Sequence, residues 1–398
     1  MQASETTPEG VLPPGVIDLA RALIRIPSEN PPADYGPISA FIRETLSRTR
    51  AEVVIMEGEP GKTNVAALLR GEDPDGTTLL LNGHMDVVPA GDRSLWEVDP
   101  YTAEERDGEI WGRGTMDMKG SLAAQIQAFV AIANSKERLR GNLIFAATCD
   151  DETAGKMGMG YVFPTGLEAY GWPRPTFHLL GEANQLNITT AFKGRIWVEV
   201  EAIGKAAHGG APDGGVNAIE RVVTAGHALR ELMSGQHRLV GQDTFNFGTI
   251  RGGEQVNVVP DLCTARFDLR FGPHRTTDDI EAGIRKAVAA AAEDATLRFK
   301  ILERREPLEV APEAPAIALL HECIAAVTGR RPEIQGTLSA GDLYYTALQG
   351  VPGVWVGPGD PALFHVINER VDKEELVQAA RIYARFAHAY LGTGESDA

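Results

Sequence analysis

The sequence predicts an α/β protein in which a mixed, mostly parallel sheet flanked by helices is interrupted by an inserted α+β unit. Three patterns support this. Apolar strand-like runs alternate with helical segments over residues 1–187, the signature of an α/β layer structure. Period-two strand patterns and two helical segments, the second alanine-rich, fill 188–306. Histidine and acidic segments of the same character then resume within 307–398, so the last part of the chain must rejoin the first.

In chain order, helices are expected from Val16 to Ile26 and from Ile38 to Arg48. Strands are expected at Glu52–Met56, Asn64–Leu69, Thr77–Leu81 and Leu143–Thr148. Ser121 to Asn134 is alanine-rich and apolar at helical spacing, which predicts a buried helix. In the inserted unit, strands are expected at Ile188–Phe192, Arg195–Ala202, Asp243–Gly248, Cys263–Phe271 and Thr296–Leu302. Helices are expected from Val216 to Leu232 and from Thr277 to Asp294.

Composition narrows the function. The chain has 398 residues, 43% hydrophobic and 23% charged, enough for two domains with their own cores. A formal net charge of −17 argues against nucleic acid or an anionic membrane as partner, because both need basic surface. Cys149, Cys263 and Cys323 make no paired framework, so free thiols in a reducing compartment are expected, Cys149 packing at a strand end. The opening Met1–Pro8 has neither a basic region nor an apolar core, and no long apolar span follows, so a cytoplasmic protein is expected.

The chemistry is concentrated in five segments. Leu79-Leu80-Leu81-Asn82-Gly83-His84-Met85-Asp86 carries an apolar run into a histidine and an aspartate two residues apart. In extended backbone these point the same way, so a carboxylate can fix one ring nitrogen while the other binds a metal. Trp111–Gly120, Leu143–Gly155, Phe177–Ala183 and Ala362–Glu369 have the same form, acidic or histidine residues after apolar ones. In open α/β sheets such segments converge beyond the carboxyl ends of the strands. Two imidazoles and several carboxylates gathered in one cleft repel or shift their pKa values unless cations neutralise them.

His84-Met85-Asp86, Gly114-Thr115-Met116-Asp117-Met118-Lys119-Gly120, Asp150-Asp151-Glu152, Gly181-Glu182 and His365 together resemble the M20 metallopeptidase family, in matching order from about Leu79 to Glu369. The resemblance implies a catalytic domain with two divalent ions, zinc foremost, with manganese or cobalt as the alternatives. It implies His84, Asp117 and Glu182 around one ion and Asp117, Glu152 and His365 around the other, with Asp86 orienting His84. Nitrogen and oxygen donors without thiolates suit such metals. Two ions roughly 3.5–4 Å apart can share an activated water.

The resemblance further implies Asp151 as general base, although relatives usually carry a glutamate there. The inserted unit is implied to be a lid or dimerisation domain, and the protein a homodimer through it. Within that unit, His208 in Gly204–Pro212 is implied to stabilise an oxyanion, and Asn257 and Arg270 to hold the polar end of the substrate. An ion pair with Asp268 is the equal alternative for Arg270. Gly341 and Tyr344 lie in a segment where relatives often carry an arginine, so an aromatic wall is expected instead. His178, His227, His237, His274, His321 and His388 lack such context and are expected to be structural or on the surface.

These expectations describe a dinuclear-metal-dependent hydrolase that cleaves the C–N amide bond of a small N-acyl amino acid or short peptide. Two alternatives stand beside it: a metal-dependent amidase or deaminase for a non-peptide aromatic substrate, and a non-catalytic binding protein that retains the metal site.

Overall fold

The computed structural model describes residues 15–393, so the opening Met1–Pro8 segment lies outside the described residues. The chain forms two compact units. One runs to Thr189 and resumes with Val310–Ile334 and from Gly341 onward; the other comprises Thr190–Glu309 and Gln335–Ala340.

In the first unit, six strands lie side by side in the order Glu52–Glu57, Thr63–Leu69, Asn142–Thr148, Thr78–His84, Phe177–Leu180 and Gly353–Trp355. The last four are mutually parallel and the first two are antiparallel to their neighbours. All four parallel strands are buried at every position, which is why their sequences read as largely apolar runs rather than as alternation. The register pairs His84 with Thr148 and Asn82 with Leu180. The carboxyl ends of Asn142–Thr148, Thr78–His84 and Phe177–Leu180 therefore stand together, and whatever follows them meets beyond that edge.

The Lys119–Asn134 helix packs on this sheet and is buried almost throughout. It begins two residues before the sequence-expected start, directly after the Asp117 loop. The Lys373–Leu391 helix packs against it and against Pro315–Thr328, and the sequence reading assigned no elements after Glu306. Asp372 caps Lys373–Leu391 by accepting the main-chain N–H of Glu374 at 2.7 Å and of Glu375 at 3.0 Å. Such a cap is worth about 1 kcal/mol. A small sheet of Glu104–Arg106, Glu109–Trp111 and Arg370–Asp372 pairs Arg370 with Trp111 and ties the late chain to the early chain.

The second unit is a four-stranded antiparallel sheet in the order Thr244–Gly252, Leu262–Phe271, Gly194–Ile203 and Thr296–Arg305. The helices Ala218–Leu232 and Thr277–Ala292 cover one face. Alternation along Gly194–Ile203 puts Ile196, Val198, Val200 and Ala202 into the core and leaves Trp197, Glu199 and Glu201 on the other face. Asn217 ends the chain's approach to the first helix as its N-cap, which moves that helix start from the expected Val216 to Ala218. Gln335–Ala340 joins this unit because the N–H of Lys193 bonds to the carbonyl of Thr337 at 3.1 Å. That return of six residues has no signal in the local sequence.

Candidate metal centre

The Thr78–His84 strand delivers His84 at its end, 1% exposed. The His84 Nδ1–H donates to the main-chain carbonyl of Asp86 at 2.9 Å. A carbonyl only accepts, so the proton sits on Nδ1 and the lone pair on Nε2. This corrects the expectation for Asp86: its carboxylate lies 3.7 Å from Nδ1 and its carbonyl does the orienting. The carboxylate instead accepts Asn30 Nδ2 at 2.9 Å and the main-chain N–H groups of Asp151 at 3.3 Å and Glu152 at 3.2 Å. It fastens the acidic turn to the end of the His84 strand.

Asp117 comes from the glycine-rich loop before the Lys119–Asn134 helix. Its Oδ1 lies 2.9 Å from His84 Nε2 and its Oδ2 lies 2.9 Å from His365 Nε2. Glu182, just beyond Phe177–Leu180, places Oε1 3.2 Å from His84 Nε2. Glu152 places Oε2 3.2 Å from His365 Nε2. The donor atoms thus fall into two groups that share Asp117, each with its atoms within 4.8 Å of one another.

The chemistry of these groups fits cations. The His84 Nε2 lone pair faces two carboxylate oxygens, an arrangement that needs a proton or a metal between them. Glu152 Oε1 and Glu182 Oε2 are buried without a hydrogen-bond partner, and an unpaired buried oxygen is costly. With protons alone the charges are strained. Burial lowers the His84 pKa, but Asp117 and Glu182 overcome it and carry it well above the ordinary value. Hydrogen bonds to Asp117 and Glu152 raise His365 to about 10. Burial, reinforced by Asp117, lifts Glu182 to about 8. Divalent ions would remove that conflict.

The acidic turn divides its labour. Asp150 and Ala154, at φ 71° and 97°, bracket the short Asp151–Thr153 helix in left-handed conformations. Asp150 turns away and pairs with Lys62 at 2.9 Å. Asp151 faces the centre, with Oδ2 4.0 Å from His84 Nε2 and its side chain 18% exposed. Glu369, the nearby buried glutamate, has both oxygens engaged by Arg113, Met116 N and Asp117 N. It is not placed to take a proton from substrate water.

Gly341 sits beside the turn, at φ 51°, where a Cβ would lie 3.6 Å from Asp151 Oδ1. The tyrosine that reaches the turn is Tyr345, whose hydroxyl donates to the Ala154 carbonyl at 2.5 Å; Tyr344 packs edge-on against its ring. Asp342, not singled out from the sequence, is fully buried and accepts the Thr148 hydroxyl at 2.6 Å. Burial, then the nearby Asp151, pushes its carboxyl well above the usual range. His178 bonds Thr346 at 2.9 Å and Asn82 at 3.2 Å inside the core, the structural role expected of it.

In the second unit, His208 is exposed and its Nδ1 accepts the Gly210 N–H at 3.0 Å, which leaves Nε2–H as a donor. Asn257 is exposed in the adjoining loop, its carbonyl accepting the Gly209 N–H at 2.7 Å. Arg270 pairs with Asp268 at 3.1 Å and donates to the Leu338 carbonyl at 3.1 Å. Of the two roles left open for Arg270, the ion pair is the one seen.

Residues 80–389 match the model of peptidase family M20/M25/M40. The chain is 30% identical to an acetylornithine deacetylase of Photorhabdus laumondii over 319 residues, 78% of this chain and 79% of the relative. Aminopeptidase PepT from Bacillus cereus has a similar fold, with a TM-score of 0.75 at 20% identity over 94% of this chain and 97% of that one. So has the YXEP protein of Bacillus subtilis, described as a dinuclear metal-binding peptidase, with a TM-score of 0.72 at 18% identity over 94% and 97%.

Proposed function

Since this chain belongs to peptidase family M20/M25/M40 and is a hydrolase of C–N amide bonds, we propose that it removes the acyl group from a small N-acyl amino acid with two divalent ions, zinc foremost. The observation that carries this is Asp117, which offers one oxygen to each of two histidine–carboxylate groups. The resemblance to an acetylornithine deacetylase makes N-acetyl amino acids the first substrates to consider.

His84, Asp117 and Glu182 would hold one ion and Asp117, Glu152 and His365 the other. When bound, the ions supply Lewis acidity that polarises the scissile carbonyl and acidifies the attacking water. Asp151 takes the proton of that water on its carboxylate and returns it to the leaving nitrogen. The Asp86 carboxylate holds the Asp151 main-chain N–H and so supports this placement. His208 donates through Nε2–H to the developing oxyanion, a charge that exists only on the way over the barrier. Asn257 would hold the polar end of the substrate.

The second unit acts as lid and dimerisation domain. Support comes from the edge strand Thr244–Gly252, exposed along most of its length, with the apolar Ile250 and the nearby Val256 and Val258 also exposed. Edges of this kind are templates for pairing with another chain. No helix among the described residues is long and apolar enough to cross a membrane.

The test is a screen of the metal-analysed protein against N-acetyl, N-succinyl and N-carbamoyl amino acids, dipeptides and aryl amides. Two ions per chain and turnover of an N-acyl amino acid are expected. Turnover confined to aryl amides would replace this reading with that of an aromatic amidase.

A further inference from the structure

We propose that Arg113 and Glu369 form a positioning clamp that sets how tightly the ion held by Asp117, Glu152 and His365 is bound. The proposal rests on the two-ion reading above. Arg113 is 2% exposed and Glu369 fully buried, and their side chains pair at 2.5 Å. Glu369 Oε1 accepts the main-chain N–H of Met116 at 2.7 Å and of Asp117 at 3.1 Å. Arg113 reaches the other way. Its Nη1 donates to the Val366 carbonyl at 3.2 Å and its Nη2 to the His365 carbonyl at 3.5 Å. The guanidinium lies over the Trp96 ring, 5.1 Å from its centre, a cation–π contact. One ion pair therefore holds the backbone of both Asp117 and His365, two segments far apart in the chain.

His365 needs such a hold. Its φ is 60°, a left-handed conformation that a residue with a Cβ adopts only when its surroundings impose it. Its side chain is 51% exposed, so packing does little to place the ring. His84 and Glu182, in contrast, follow buried central strands and are themselves buried. The sheet positions His84 and Glu182; Asp117, shared by both groups, is held through Glu369, and His365, which belongs to the second group alone, is held through Arg113. Losing the Arg113 arm, with an acceptor still in place for the Asp117 N–H, should therefore act on the second ion far more than on the first.

The experiment titrates cobalt(II) into the chelator-stripped full chain by calorimetry, with the visible absorption of the bound ion followed alongside. The parent protein takes two ions. Arg113→Lys keeps a positive charge opposite Glu369 but cannot span the two carbonyls as the guanidinium fork does. It should weaken the second ion about 10–100-fold and leave the first within about two-fold, the scale on which groups that orient ligands act. Its melting temperature without metal should stay near that of the parent. Glu369→Gln keeps an acceptor for the two N–H groups but sets an amide N–H against the guanidinium, and should show the same selective loss. If Arg113→Lys does not fold, the glutamine variant carries the test. Equal weakening of both ions, or none, overturns the clamp; the latter would mean that the pairing of Arg370 with Trp111 suffices to place His365. A parent protein that takes up no cobalt would instead overturn the two-ion reading.

Discussion

Asp86 holds the main-chain N–H of Glu152 at 3.2 Å through its carboxylate. The same residue, through its carbonyl, receives the Nδ1 proton of His84. One aspartate thus links a proposed ligand of each ion. Asp86→Ala removes only the carboxylate, so His84 should stay oriented while the acidic turn loosens. We expect metal affinity or turnover to fall about 10–100-fold, the range for groups that orient ligands. Metal content and steady-state kinetics of the variant check this, and unchanged values for both would show that the turn holds itself.

Asp117 belongs to both candidate groups, and as the proposed shared ligand its replacement in Asp117→Ala should lose both ions together. The variant should retain its fold, because the side chain lies at the edge of the sheet and not in the apolar core. Metal analysis after dialysis gives the answer: one ion retained per chain would mean that the two groups are independent.

Asp151→Asn should lower turnover by about 10²–10⁴-fold with both ions still bound, since only the proton acceptor is lost. Asp151→Glu probes the geometry. If the site is fitted to the shorter side chain, the added methylene crowds the reacting water and turnover drops. A rise in turnover with glutamate would show that the aspartate is a handicap and not a fit. Normal turnover in the asparagine variant would remove Asp151 from the mechanism, and the buried Glu369 offers no replacement.

His178 predicts a pH dependence of stability. Burial lowers its pKa to about 3 in the folded chain, against about 6.5 when unfolded. Above pH 6.5 the imidazole is neutral in both states and contributes no slope. Below it the unfolded chain takes up a proton that the folded chain refuses, so stability falls by up to about 1.4 kcal/mol per pH unit down to the folded pKa. Urea denaturation at pH 7 and pH 5.5 should show a smaller loss in His178→Gln than in the parent. The NMR shift of the His178 ring should stay that of the neutral form at pH 5, and titration near 6.5 would contradict the assignment.

Much of the metal centre is legible in the sequence for a local reason. His84, Glu152 and Glu182 each end or closely follow an apolar run that forms a buried parallel strand of the sheet, and Asp117 follows a glycine-rich loop. The strands themselves were readable because continuous apolar composition is what burial on both faces requires. In the second unit, period-two alternation told the core face of Gly194–Ile203 from its outer face.

Other features depend on which segments become neighbours, and no local pattern encodes that. The Arg113–Glu369 pair joins residues from the two ends of the first unit. Thr148 finds Asp342 only after the sheet has formed. Asp86 looked like the carboxylate partner of His84 because the two are i and i+2, yet the chain turned so that the carbonyl took that place and the carboxylate met the acidic turn. The sequence by itself determined the α/β class, the strand runs and the residue types at the metal centre, since these follow from hydrophobic period and donor chemistry. The tertiary structure alone decided which oxygen faces which nitrogen and what holds His365, because hydrogen bonds act over about 3 Å and their partners come together only through the order of strands in the sheet.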